Sequence, residues 1–308
     1  MLSYLKNNIN NKLDNYISNF TWTNTYGIAR SFIALSLFLT LAFSDIQRMI
    51  SPVGVLSDVY SVSTISRMSL FYLLRDHLFI AKGISLVVLA SVIIGWRPRF
   101  TGILHWWIAF SFTTSSFILE GGDQLGEIIT LLLVPVTLLD HRKSHWQNNV
   151  PLKYGRNLFV DSTVLLIFSI FILISIQVSY LYFNASTGKF SSEEWTNGTA
   201  VYYWIDNSIF GPSDNFWKPI FFTILKSPLG VVTFTWGAMI IELILFLGVI
   251  VTEVKTRRAL LFMGILLHMM FGIAFGLWTF YITMIGALII YLGPRSTGIS
   301  KSYLLWKN

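Results

Sequence analysis

Eight runs of mostly apolar residues dominate this chain, and they constrain its fold more than any other feature. Several of them approach or exceed the roughly 20 apolar residues that an α-helix needs to cross the hydrocarbon core of a bilayer. Only 12% of the 308 residues are charged, against about 25% in an average globular domain. A soluble chain of this composition lacks the polar residues to cover its own surface. The sequence therefore predicts an all-α protein, a polytopic bundle of membrane-spanning helices.

We predict about eight transmembrane helices from the lengths and limits of these runs. They cover residues 27–44, 77–96, 100–119, 125–140, 158–183, 231–251, 258–276 and 278–293. The last two come from one apolar stretch, which is too long for a single span without a steep tilt. A turn near Gly276 is the expected division, and a seven-span chain is the alternative.

The positive charges orient the bundle, because cytoplasmic loops of membrane proteins are enriched in Lys and Arg. With eight spans and a cytoplasmic N-terminus, fourteen of the 22 Lys and Arg residues lie in cytoplasmic segments and six in outer segments. Seven spans would move the basic C-terminal residues outside and weaken this asymmetry. We therefore predict that both termini are cytoplasmic. The net charge of +7 then reflects cytoplasmic loops, and no nucleic-acid partner is expected.

The predicted organisation has three parts. An N-terminal cytoplasmic segment covers 1–26, the transmembrane domain covers 27–293, and a cytoplasmic tail covers 294–308. Two long outer segments, 45–76 and 184–230, are expected to fold against the bundle or lie at the membrane interface, because both are rich in aromatic or small polar residues. The polar, Asn-rich start of the chain lacks the apolar core of a cleavable signal peptide.

Cysteine is absent, which excludes disulfides and thiolate chemistry. The sequence also has no phosphate-binding Walker loop, dinucleotide fingerprint or catalytic-serine elbow. No His-x-x-x-His or His-x-x-Glu pair lies in a predicted span, so no metal site is expected.

Ionisable side chains within spans are rare and are candidates for function. Lys82 lies near one end of its span, where snorkelling or pairing competes with a direct role. His105 precedes two tryptophans, which favours a structural place at the interface. Glu242 lies in mid-span and needs a donor or a proton. His268 is surrounded by small and flexible residues, and it either hydrogen-bonds between helices or relays a proton.

The stretch "ILEGGDQLGEII" carries three carboxyl groups, those of Glu120, Asp123 and Glu127. The two glycines predict a tight turn between the third and fourth spans, with Asp123 as the helix cap. One reading is an acidic patch that binds a cationic substrate or pairs with Lys82 or Lys189. The other is capping and solvation.

Several stretches together resemble the vitamin K-dependent γ-carboxylase superfamily, including its bacterial HTTM-domain members. They are "QVSYLYFNASTGKFSSEEWTNGTAVYYW", the Gly-Gly-Asp segment at Gly121, "RRALLFMGILLHMMFGIAF" with His268, and the first span. In size, and in "GWRPRFTGILHWW" and "LLDHRKSHW", the chain is similar to the sporulation-delaying protein B group of small bacterial membrane proteins.

That resemblance implies a multi-pass protein of the bacterial cell membrane that helps to mature or export a secreted peptide toxin. Its partners would be the peptide precursor and a separate small maturation protein. The superfamily implies a reduced quinone as cofactor and Lys189 as a neutral base, since burial lowers the pKa of a lysine. Glu193 and Glu194 would keep Lys189 charged if they were close.

We therefore predict a pocket on the outer side of the membrane, with Lys189 and His268 as catalytic residues. Its predicted substrate-binding residues are Glu120, Asp123, Glu127, Trp195, Tyr202 and Tyr203, and the predicted structural polar residues within the membrane are Lys82, His105 and Glu242. A quinol-dependent carboxylase or epoxidase is one alternative. A non-enzymatic peptide-binding, immunity or export factor is another.

Overall fold

The computed structural model describes residues 20–50, 64–148, 150–151, 158–207, 211–212 and 216–293, and within them the chain is almost entirely helical. The long helices are α1 (Thr25–Phe43), α4 (Leu78–Ile93), α5 (Pro98–Ser115), α6 (Gly121–Leu139), α7 (Leu158–Lys189), α11 (Pro228–Leu247), α12 (Val254–Phe275) and α13 (Trp278–Leu292). Short helices are α2 (Ile46–Met49), α3 (Leu70–Leu73), α8 (Glu193–Thr196), α9 (Ala200–Ile205) and α10 (Lys218–Leu225). Two short strands, β1 (Thr21–Trp22) and β2 (Val150–Pro151), pair antiparallel.

Each of the eight predicted spans overlaps one of the eight long helices, with ends that differ by up to six residues. Six of these, α1, α4, α6, α7, α11 and α12, are long and apolar enough to cross a membrane by length and composition, α4 when taken together with the 3-10 turn Arg75–His77 before it. Helix α5 is not among the six, and α13 has only 15 residues. A helical membrane bundle is therefore supported, while the count of eight crossings and the side of the termini stay predictions. Most of 1–26, part of 45–76 (residues 51–63) and the tail 294–308 lie outside the described residues.

Local sequence explains where several helices begin and end. Pro98 and Pro228 occupy the first turns of α5 and α11, where a missing N–H costs nothing. Glu253 accepts hydrogen bonds from two backbone N–H groups at the start of α12. Gly276 ends α12 in the left-handed region at φ 70°, and α13 starts two residues later. The structure therefore has its turn at Gly276, where the sequence predicts one.

The described residues form two large apolar cores that share α1, and a small third cluster of Ile205, Phe221 and Ala274. One core joins α1 to α6, α7, α11, α12 and α13, and the other joins α1 to α2, α3, α4 and α5. Helix α1 packs on α13, and α11 packs on α7. Helices α11 and α7 run antiparallel, since Ser179 Oγ donates to the Phe246 carbonyl at 2.9 Å and Ser186 Oγ to the Met239 carbonyl at 3.0 Å.

Helix α7 continues six residues beyond its predicted span, 158–183, and ends at Lys189. At 1.5 Å per residue its 32 residues extend about 48 Å, more than the roughly 30 Å hydrocarbon core. The start of the predicted outer segment 184–230 is therefore helical, and Lys189 is the last residue of a long helix instead of a loop residue. This difference gives Lys189 a fixed position against α11.

Candidate functional site

Lys189 and Glu242 form an ion pair between α7 and α11. Lys189 Nζ lies 2.6 Å from Glu242 Oε2 and 2.7 Å from Oε1, so both carboxylate oxygens are engaged. The side chains are 18% and 6% exposed. Glu242 is the fifteenth residue of α11, about 21 Å along the helix from its first residue. A charged pair is thus held deep against the bundle, where an unpaired carboxylate would be costly.

The remaining contacts of Lys189 complete its surroundings. Its ammonium donates to the Ala185 carbonyl at 3.0 Å and lies 5.1 Å from the centre of the Trp195 ring, a cation–π distance. Glu194, one of the two glutamates expected to affect this lysine, accepts instead from the Ser192 hydroxyl at 2.5 Å, which lowers the pKa of Glu194. The carboxylate that pairs with Lys189 comes from a distant part of the chain.

His268 lies nearby on α12. Its Nε2 atom is 2.9 Å from the hydroxyl of Tyr182, a buried residue of α7. Phe271 and Phe280 enclose the imidazole edge-on, with ring centres 5.8 Å and 5.2 Å away. Tyr182, its hydrogen-bond partner, lies seven residues, about two helical turns, before Lys189 on α7. The two predicted catalytic residues therefore lie in one region. Tyr182, for which the sequence predicted no role, belongs to the same region.

A large apolar cavity of about 690 Å³ opens beside the Lys189–Glu242 pair. Helices α11 and α12 form its long walls, and α9 and α10 cover it. The cover is anchored to α11, because Trp236 Nε1 donates to the Trp195 carbonyl and Thr235 Oγ1 accepts from the Val201 N–H. Among the described residues that line the cavity, only Lys189 is charged. The cavity is within the size range of small-molecule sites.

The aromatic residues predicted to line this site divide into two groups. Trp195 lines the cavity, but Tyr202 and Tyr203 do not, and both are exposed at the surface of α9. Trp204, the next residue, lines the cavity and packs edge-on against Phe275 of α12. The sequence showed the aromatic cluster but not the side of the short helix that each ring occupies.

The three acidic residues of the Gly-Gly-Asp segment lie elsewhere and do not line the cavity. Glu120 and Asp123 form a reciprocal capping box at the start of α6, with Glu120 as the cap. Glu120 also accepts from Thr279 Oγ1 at 3.1 Å, and Glu127 accepts from Thr113 Oγ1 at 2.6 Å. These contacts join α6 to α13 and α5. None of the hydrogen bonds among described residues links these carboxylates to Lys82 or Lys189.

Lys82 and His105 also belong to the other half of the bundle. The Lys82 ammonium donates to the Ala42 and Ser44 carbonyls at 3.3 Å and 3.0 Å, where it caps the end of α1. His105 is buried and lines a cavity of about 10 Å³ together with Asp123. Among the described residues no group of three or more His, Asp and Glu could hold a metal ion.

A second polar cluster, absent from the sequence predictions, lies where α6 ends. The buried Asp140 and Arg142 form an ion pair at 2.8 Å, and the Tyr26 hydroxyl also donates to Asp140. His145 Nε2 is 3.1 Å from Ser31 Oγ, and burial, aided by Arg30 and Arg142, lowers the pKa of His145 to about 3. The stretch "LLDHRKSHW" does not predict this cluster, because Tyr26 and Ser31, which contact Asp140 and His145, are each 114 residues from their partners and leave no local pattern.

The two stretches that carried the closer resemblance pack on each other. The Arg97 N–H donates to the Lys143 carbonyl at 3.0 Å, and the His145 N–H donates to the Gly95 carbonyl at 3.1 Å. Arg99 donates to the Leu138 carbonyl at 2.8 Å. These bonds fix the loop between α4 and α5 to the segment after α6, so both stretches form one structural joint.

Two known proteins are similar in sequence to this chain over most of its length. The chain is 35% identical over 299 residues to the sporulation-delaying protein SdpB of Bacillus subtilis (strain 168), covering 95% of this chain and 88% of that protein. This chain belongs to the SdpB family. It is also 35% identical over 291 residues to YitO of the same strain, a protein described as uncharacterized, covering 92% of this chain and 91% of YitO.

No family model matches the chain, and no solved structure matches it. The wider resemblance to the γ-carboxylase superfamily and its HTTM members therefore stays a prediction. Membership of the SdpB family, together with six helices suited to crossing a membrane, supports a multi-pass membrane protein.

Proposed function

We propose that this chain is a membrane factor for the maturation or export of a secreted peptide toxin, and that the Lys189–Glu242 pair is its working centre. Membership of the SdpB family and the sequence resemblance described above support this biological role. The main observation in support of this site is a Lys–Glu pair, with Glu242 buried and Lys189 half-buried, at the edge of an apolar cavity of about 690 Å³. The bacterial cell membrane is the proposed location, and the peptide precursor and a small maturation protein are the proposed partners.

The Lys189 amine can act as a base when both members of the pair are neutral. Moving one proton from Lys189 Nζ to Glu242 leaves a neutral amine and a neutral carboxylic acid, and the total charge of the site is unchanged. An apolar ligand that displaces water favours this neutral form, because desolvation penalises both ions. The amine can then remove a proton from the ligand. Tyr182 and His268 form a second hydrogen-bonded pair beside it, able to donate or accept a proton.

The cavity walls also fit the cofactor that the resemblance implies. A reduced quinone has a flat apolar ring, and aromatic residues such as Trp204, Phe221 and Phe271 would hold it beside Lys189. When bound, it would supply reducing equivalents. The residues of this chain would orient the ring, exclude water from it and provide the base.

Secreted peptides test the proposal. Cells that lack the gene are complemented with the wild type, with Lys189→Ala, or with a surface control, Lys226→Ala, and their secreted peptides are compared by mass spectrometry. We expect a mature peptide with the wild type and the control, and none with Lys189→Ala, although the protein is present in the membrane. A wild-type peptide spectrum from Lys189→Ala would refute a role for this site.

Non-enzymatic peptide binding is the second candidate, favoured by the size and apolar lining of the cavity. Lys189→Arg separates the two candidates, because arginine retains the ion pair with Glu242 but cannot lose its proton near neutral pH. Loss of the mature peptide in Lys189→Arg, with the cavity and membrane level unchanged, supports base chemistry. Normal output from Lys189→Arg supports binding alone.

A further inference from the structure

A basic and aromatic surface lies at the joint between the α4–α5 loop and the segment after α6. Arg97 and Lys143 are exposed neighbours, since the Arg97 N–H donates to the Lys143 carbonyl at 3.0 Å. Arg99 is exposed beside them. No ion pair among the described residues involves these three cations, and the nearby Asp140 is engaged by Arg142. The surface therefore presents positive charge that nothing in the described chain neutralises.

Large apolar side chains surround these cations. Trp96, Phe100 and Trp146 are 55%, 60% and 44% exposed. Trp146 is held in place, because its Nε1 atom donates to the Ile93 carbonyl at 3.3 Å. Tryptophan rings are enriched where a membrane protein meets the headgroup region. Rings and cations are thus placed together at the ends of α4 and α5, where these helices leave the predicted spans.

The backbone of Arg97 distinguishes this surface from an ordinary basic loop. Arg97 adopts φ 38° and ψ 72°, and it is the one non-glycine residue with positive φ in the described chain. Such a conformation is uncommon for a residue with a side chain. The hydrogen bond to Lys143 and the adjoining bridge between Trp96 and Ser144 hold it. The loop geometry is therefore determined by the segment after α6, which places the backbones of Arg97 and Lys143 next to each other.

We propose that Arg97, Lys143 and the flanking Trp96 and Trp146 form a binding site for the headgroup of an anionic phospholipid. The phosphate would contact the two free cations, and the acyl chains would lie along the apolar side chains that extend toward the bilayer. Basic pockets at the ends of transmembrane helices bind anionic lipids in this way. The site is separate from the Lys189–Glu242 pair, which joins α7 to α11.

Lipid binding to the purified full-length protein tests this site. Phosphatidylglycerol or phosphatidylcholine is titrated into protein in neutral detergent, and the bound lipid is measured by native mass spectrometry. The variant Arg97→Gln/Lys143→Gln is compared with Arg48→Gln/Arg67→Gln, which removes the same charge from the segment between α1 and α4, at the opposite end of α4. We expect phosphatidylglycerol to bind the wild type and the control, and to bind the first variant about thirty-fold more weakly, about fivefold for each charge lost.

Three results would overturn the proposal. One is equal binding by both variants, and another is equal binding of phosphatidylcholine to the wild type. The third is competition by soluble glycerol phosphate at the same concentration as the lipid, which would indicate a free-phosphate site. Trp146→Ala, which retains both cations, should weaken phosphatidylglycerol binding while glycerol phosphate stays without effect.

Discussion

Removing the carboxylate of Glu242 tests the central ion pair most directly. In Glu242→Leu, Lys189 keeps its position at the end of α7 but loses both charge-assisted bonds, of 2.6 Å and 2.7 Å. Breaking a buried pair from one side costs about 3–5 kcal/mol. Because Lys189 is 18% exposed and retains the Trp195 ring, we expect the lower end, about 3 kcal/mol. At about 2 °C per kcal/mol, the melting temperature should fall by about 6 °C.

The double variant Lys189→Met/Glu242→Leu shows whether this cost comes from the unpaired charge. Replacing both partners with apolar residues of similar size is often nearly neutral, so we expect a loss of about 1 kcal/mol. Thermal unfolding in detergent of the wild type, both single variants and the double variant gives the coupling energy. Strict additivity of the two single losses would refute direct pairing.

The same double variant separates stability from activity. If the pair performs the chemistry, cells that carry the stable double variant secrete no mature peptide. If the pair is purely structural, the double variant is as active as the wild type. Membrane level, measured in parallel by immunoblot, excludes loss of the protein as the cause.

Three further predictions follow from other parts of the fold. Tyr182→Phe removes the 2.9 Å bond to His268 and should cost about 1 kcal/mol in thermal unfolding, whereas Tyr180→Phe, at an exposed position of the same helix, should cost nothing measurable. Gly102→Ala places a methyl group against Thr137 Oγ1 and should destabilise the α5–α6 contact by about 1–3 kcal/mol. Gly83→Ala, with nothing within 4 Å, should be neutral or stabilising, and equal melting temperatures of the two variants would contradict the packing. Because the pKa of His145 is about 3 in the folded chain, the unfolded chain binds more protons than the folded chain between pH 6.5 and 3. The free energy of unfolding should therefore fall by up to about 1.4 kcal/mol for each pH unit of acidification below pH 6.5. His145→Asn should flatten that part of the plot of melting temperature against pH.

Sequence alone determined the parts of this protein that depend on local composition. Apolar runs of spanning length predict helices wherever a backbone cannot hydrogen-bond to solvent, and all eight runs are helical. The turn at Gly276 was predictable because a chain that must reverse within an apolar stretch needs a residue that tolerates positive φ. Lys189 was singled out by a resemblance, and Trp195 with it.

Which side chains contact each other across the bundle depends on the tertiary structure. Glu193 and Glu194 follow Lys189 closely in the sequence, but the structure pairs Lys189 with Glu242. Antiparallel packing of α7 and α11 brings these two residues, 53 positions apart, together. The sequence left two readings open for Glu120, Asp123 and Glu127, an acidic patch or capping and solvation. In the structure Glu120 and Asp123 cap α6, and Glu120 and Glu127 join it to α13 and α5. Which face of a helix meets which neighbour is set by the packing of the whole bundle, and no run of local residues encodes it.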